Sequence, residues 1–165
     1  NDVQATMSGG TLIARGSGHF IARPSAVGSP VTISVSAKGR KVGAYQFRVR
    51  KLPDPSPYIA MGGDRFKSGP LSKAALMGAP GIHAAIDDGL LDIPFTVTSF
   101  RVVFFDNMGN AVPLASNGAS FSSQQKEQFR QLSRNKRFYI TNVVVHGPDG
   151  ITRTLNGRNM EVIVR

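Results

Sequence analysis

Apolar and polar residues alternate with period two over several short stretches of this chain, a pattern that predicts half-buried strands. Val31-Thr32-Ile33-Ser34-Val35-Ser36 is such a stretch, and Thr11–Ala14 and His19–Ala22 read as two more, separated by Gly16-Ser17-Gly18. Tyr45 to Leu52 alternates apolar and basic residues; the turn-rich Lys38–Gly43 before it predicts a hairpin with the Val31 strand. Beyond residue 57, strands are expected at Ile82–Ile86, Pro94–Phe105, Phe138–His146, Ile151–Leu155 and Met160–Val164. Gly62-Gly63-Asp64 and Ser68-Gly69-Pro70 read as loop, and Leu71–Met77 as a short helix. In Pro94–Phe105 the alternation changes phase: Phe95 and Val97 share one parity, and Phe100, Val102 and Phe104 the other. Side chains flip at every residue of a strand, so keeping both sets in a core requires one extra residue, a β-bulge near Thr98-Ser99.

Turn chemistry fixes the connections. Asp106–Asn110 predicts one hairpin turn, and Gly147-Pro148-Asp149-Gly150 another, with Pro148 presetting φ and Gly150 supplying a positive one. Ser122-Ser123-Gln124-Gln125 has the form of a capping box, which opens the one clear helix, at 123–133. Between the halves, the Pro53-Asp54-Pro55-Ser56-Pro57 segment places three prolines two apart. Each fixes its φ and removes a donor, so Pro53, Asp54, Pro55 and Pro57 are expected to form a stiff hinge. The predicted organisation is mainly β, in two consecutive β-rich units. Residues 1–52 form part of a penultimate, Ig-like β-sandwich, 53–57 the hinge, and 58–165 a C-terminal α+β domain. Three or four strands do not close a sandwich, so 1–52 is expected to lack strands that precede Asn1, in a chain that is a fragment of something longer.

Composition changes this picture in one respect, charge. The 165 residues carry a net +10, with eight Lys/Arg against two acids over 1–55, four against five over 56–121, and eight against three over 122–165. Strong basicity raises nucleic-acid binding, yet there is no basic tail, no recognition-helix pattern and no interleaving of aromatic and basic residues. No nucleic-acid partner is therefore expected; an acidic protein surface or an anionic membrane surface suits the charge better. With no Cys there is no disulfide framework, and no apolar run approaches the length of a membrane span.

The search for chemistry finds no catalytic residues, metal site or cofactor. His19, His83 and His146 are far apart, without Glu or Cys at ligand spacing. Asp87, Asp88 and Asp92 form the one acidic cluster, but Asp-Asp-Gly is a turn sequence and calcium-loop spacing is absent. No serine lies in a Gly-x-Ser-x-Gly elbow, and the paired glycines at the start lack the helix that phosphate binding needs. Arg130, Arg134, Lys136 and Arg137 place four cations at and just beyond the end of the helix. Favourable interaction with the helix dipole accounts for such residues in part, but four exceed what capping needs, which makes them the candidate partner-binding patch.

Phe47-Arg48-Val49-Arg50 with its Leu52-Pro53-Asp54-Pro55-Ser56-Pro57 exit, the Ile93–Phe100 run, and His146-Gly147-Pro148-Asp149-Gly150-Ile151-Thr152-Arg153-Thr154-Leu155 together resemble the C-terminal region of the GldM/PorM family. These are the gliding-motility and type IX secretion M proteins of Bacteroidetes. The resemblance implies a homodimeric periplasmic rod anchored in the inner membrane by an N-terminal helix not present here. That helix would pair with an L protein that harnesses the proton gradient. The distal end of the rod would meet a ring of K lipoprotein and N protein beneath the outer membrane. It implies no enzyme and no cofactor. The alternative from a different class is a cell-envelope carbohydrate or peptidoglycan-binding β module, for which Tyr45, Tyr58 and Tyr139, with no Trp, supply little aromatic platform.

Overall fold

The computed structural model describes residues 2–89 and 91–165. The chain divides into two compact units, Asn1–Leu52 and Pro53–Arg165. The first holds β1 (Val3–Ser8), β2 (Gly10–Gly16), β3 (His19–Pro24), β4 (Val31–Ala37) and β5 (Arg40–Phe47). An antiparallel sheet of order β1-β4-β5 stands beside the two-stranded β2-β3 sheet. Register sets the apolar residues of the larger sheet on one face: Met7 lies opposite Ile33, Ala5 opposite Val35, Val31 opposite Phe47 and Ile33 opposite Tyr45. Ser, Thr and Gln occupy the other. Alternation thus made a two-faced sheet, yet Val31 is the one apolar side chain fully buried among the described residues of this unit.

The second unit contains β6 (Ser56–Met61), β7 (Asp64–Phe66), β8 (Gly69–Leu71), α1 (Lys73–Gly78), β9 (His83–Asp87), β10 (Asp92–Phe105), β11 (Ala111–Ser116), α2 (Ser123–Gln131), β12 (Arg137–His146), β13 (Thr152–Thr154) and β14 (Met160–Val164). The sheet is organised about the long antiparallel pair β10-β12. Along its outer edge β10 pairs first with β9 and then with β11. In the same way β12 pairs with β14 and then β13. β6 and β7 extend the sheet beyond β9, and β8 runs parallel to β14 at the other end.

The expected bulge is present. The β10-β12 register shifts between Val97 and Ser99 and again between Ser99 and Arg101. Consequently Phe95, Val97, Phe100, Val102 and Phe104 are all buried despite their change of parity. Phe138 and Ile140 of β12 and Met160, Val162 and Val164 of β14 bury the same face. α2 closes it, with the Phe129 ring centroid 4.9 Å from that of Phe138 and 5.6 Å from that of Phe104. Each such side chain removed from water contributes roughly 2 kcal/mol, so this face holds most of the driving force of the unit. The capping box forms as its sequence implies: Ser122 Oγ accepts from Gln125 N at 3.2 Å, and Gln125 Oε1 accepts from Ser122 N at 2.9 Å. The fully buried Gln125 also donates from Nε2 to Leu114 O at 2.8 Å, tying α2 to β11 and leaving its amide satisfied.

Several boundaries differ from expectation. β5 begins at Arg40 and ends at Phe47, so Arg48–Leu52 is not strand; its partner β4 starts at Val31, after Pro30, and offers no ladder further on. The Val3–Ser8 strand was not expected. Gly62 and Gly63 are the two-residue turn of a β6-β7 hairpin; Gly69 and Pro70 are strand, not loop, and Leu71 continues that strand, paired with Val162–Val164, so the helix expected from Leu71 starts at Lys73. α2 stops at Gln131 because Leu132 is extended, at φ −68° and ψ 129°.

Candidate interaction site

Of the four cations at the end of α2, two are already paired. Arg130 Nη1 meets Glu127 Oε2 at 2.7 Å, one turn back on the same helix, and Arg137 Nη1 meets Glu161 Oε1 of β14 at 2.9 Å. Arg134 and Lys136 have no ion pair among the described residues. The carbonyls that end α2 are served by a residue from elsewhere: Lys73 Nζ donates to Arg130 O at 2.6 Å and to Leu132 O at 2.9 Å. A cation at this position satisfies orphan acceptors and complements the dipole. It comes from the first turn of α1, 57 residues away in sequence, so no local pattern signals it. Dipole capping therefore does not occupy Arg134 or Lys136. They sit on the turn into β12, where Asn135 adopts φ 71° and its N donates to Val164 O.

The proline segment belongs structurally to the second unit. Ser56 and Pro57 open β6 and pair with Ala85 and Ala84 of β9, while Pro55 and Pro57 are buried. Proline is tolerated in this strand because the opposite edge of β6 is paired only from Ile59 onward, so at Pro57 a missing donor costs no ladder bond. Pro53 and Asp54 are held by Arg153, whose Nη1 donates to Pro53 O at 2.8 Å and meets Asp54 Oδ1 at 3.3 Å. Its Nη2 reaches Asp149 Oδ2 at 2.7 Å, and the guanidinium lies 5.5 Å from the Phe95 ring centroid. Residues 53–57, expected as a stiff hinge, are thus tied to the second unit, where Pro55, Pro57 and Ile59 alternate toward the interior.

The acidic cluster is neutralised rather than open. Asp87 accepts from Lys67 Nζ at 2.7 Å and Arg65 Nη1 at 3.3 Å, and Asp92 accepts from Arg65 Nη2 at 3.2 Å. The Lys67 hydrogen bond, with Arg65 beside it, holds the Asp87 carboxyl below the ordinary aspartate range. His83 stacks on Tyr58 with centroids 5.4 Å apart, and His146 contacts Thr152. Among the described residues no three His, Cys, Asp or Glu side chains converge as metal ligands, and no helix is long and apolar enough to cross a membrane.

The fold and these surfaces define a two-unit, β-rich chain whose exposed chemistry is basic and apolar. Compared with known families, residues 53–165 match the GldM C-terminal domain, and residues 1–50 match the GldM third domain. The chain therefore belongs to the GldM family, a component of gliding motility and type IX secretion. No curated protein matches the chain.

Proposed function

We propose that this chain is the distal, non-enzymatic interaction region of a periplasmic GldM rod, which carries energy from an inner-membrane, proton-driven motor to a ring of K lipoprotein and N protein at the outer membrane. The observation that carries this reading is the succession of two β units, each matching a consecutive domain of the family. In this reading the L protein engages a membrane helix outside the present sequence, and the second unit meets the ring through protein contacts. Arg134 and Lys136, left free where Arg130 and Arg137 are paired, steer acidic surfaces toward it. The first unit supports a homodimer: Tyr45 and Phe47 on the edge strand β5 are 55% and 52% exposed, and an open strand edge favours pairing with another chain. Whether secretion or gliding depends on the region is read in cells. Replacing the native protein by one lacking residues 53–165 is expected to abolish co-purification of K and N proteins with it, together with secretion or gliding. Normal co-purification would refute the role assigned to the second unit.

A further inference from the structure

The sheet of the second unit has two faces, and helices cover only one. Phe129 of α2 packs on Phe104 and Phe138, and α1 packs against α2 on that same side. Alternation sends Arg101, Val103 and Phe105 of β10 to the opposite face. There Val103 lies directly across from Tyr139 of β12, and Arg137, two residues earlier, lies across from Ile163 of β14. Phe105 is 47% exposed and meets Tyr139 edge-on, with ring centroids 5.9 Å apart. Val103, Tyr139 and Ile163 are half-buried, so Phe105, Val103 and Tyr139 form an apolar cluster on β10 and β12, bordered on β14 by Glu161, which lies across from Tyr139, and by Ile163. Scattered exposed apolar residues need no explanation, whereas a contiguous aromatic-centred set marks a contact surface.

Charge selects the occupant. Arg101 is exposed and has no ion pair among the described residues, and Arg137 borders the apolar centre with its guanidinium on Glu161. With Arg137 already paired, Arg101 leaves this face a net cation, which a second copy of the face would carry too and an acidic rim would neutralise. Aromatic residues and arginine are also the types that dominate binding energy in the middle of protein interfaces.

We propose that this face, centred on Phe105 and Tyr139, docks a protein partner that presents an apolar centre ringed by Asp and Glu side chains. The proposal rests on the interaction role given above and specifies its surface. It is tested by titrating the full 165-residue chain with purified K lipoprotein and N protein complex, at low and high salt. Phe105→Asp combined with Tyr139→Asp is expected to weaken binding by about 30-fold or more, the loss typical of a central aromatic anchor. Arg101→Glu should slow association and flatten its salt dependence, while Ile151→Ser, exposed on the β12-β13 hairpin, should leave affinity unchanged. Because the double variant alters a packed aromatic pair, its thermal unfolding is compared with wild type. Hydroxyl-radical footprinting of the unmodified chain independently reads whether Phe105 and Tyr139 become protected by the partner. Binding that survives the substitutions, with no protection of either ring, overturns the docking face but not the functional reading. Failure of the wild-type chain to bind overturns both. Self-association of the wild-type chain that the double variant abolishes assigns the face to a second copy and overturns the proposed partner.

Discussion

Arg153 is the one charged side chain buried among the described residues, and its partners are unequal. Pro53 O and Asp149 are held close, at 2.8 and 2.7 Å, whereas Asp54 is 3.3 Å away with its side chain 54% exposed. Removing the guanidinium takes the buried donor from Pro53 O and Asp149 and its packing from the Phe95 ring, so Arg153→Ala is expected to cost about 1–3 kcal/mol in chemical denaturation. Asp54→Asn removes only a solvent-screened pair and should cost less than about 1 kcal/mol. Nothing local distinguished Arg153 in sequence, since its partners lie both four and about a hundred residues away. Asp106 is the contrasting case, legible as the first residue of a turn. It accepts hydrogen bonds from the backbone of Asn110 and Met108 and from the Asn110 side chain. Those bonds, led by the one from the Asn110 backbone, lower its pKa, as Lys67 lowers that of Asp87. A carboxyl with a depressed folded pKa contributes stability above its unfolded pKa and loses it as pH falls through the folded one. Stability should therefore be level near neutrality and decline below the ordinary aspartate range. Carboxyl titration by NMR should place both midpoints under that range; an ordinary midpoint for Asp87 would show that its ion pairs do not persist in solution.

At the scale of elements, β10 was the most legible, because its side chains state both the strand and its defect. Two apolar sets of opposite parity demand an inserted residue, and the register shifts at Ser99 supply it. Deleting Ser99 brings Phe95, Val97, Phe100, Val102 and Phe104 into one parity, so both sets keep the core face in a regular strand without the bulge. The deletion variant is therefore expected to keep a cooperative thermal transition, and loss of cooperativity would contradict Ser99 as the one extra residue that β10 absorbs. Less legible were β6 and β8, where proline and glycine argued for loop. Their assignment depends on distant partners, β9 for Pro57 and β14 for Pro70, and pairing at such separation leaves no local trace. Gly81 belongs to the same class. A Cβ there would lie 2.0 Å from Ala119 O, across the bridge to Ser120. Gly81→Ala should destabilise by about 1–3 kcal/mol through forced separation of the two segments; an unchanged melting temperature would contradict that contact.

For the whole molecule, the two units differ in how completely they bury themselves. The second closes a core of phenylalanines under α2, while the first leaves Ile21, Val27, Val42, Tyr45 and Phe47 exposed. Alternation gave the strands of both units, but periodicity says which face is apolar and not what covers it; the covering element or chain is a long-range fact. The basic patch shows the same limit, since sequence supplied four cations and the structure paired Arg130 and Arg137 with Glu127 and Glu161. In the proposed homodimer the first unit contributes the contact, so Tyr45→Asp with Phe47→Asp should shift light scattering toward monomer while α2 and the second-unit sheet remain folded. The role as an interaction region is tested most directly by calorimetric titration of the purified K lipoprotein and N protein complex into the chain. Saturable binding that weakens with added salt is the expected result. Absence of binding at low salt, with a chain shown to be folded, would contradict it.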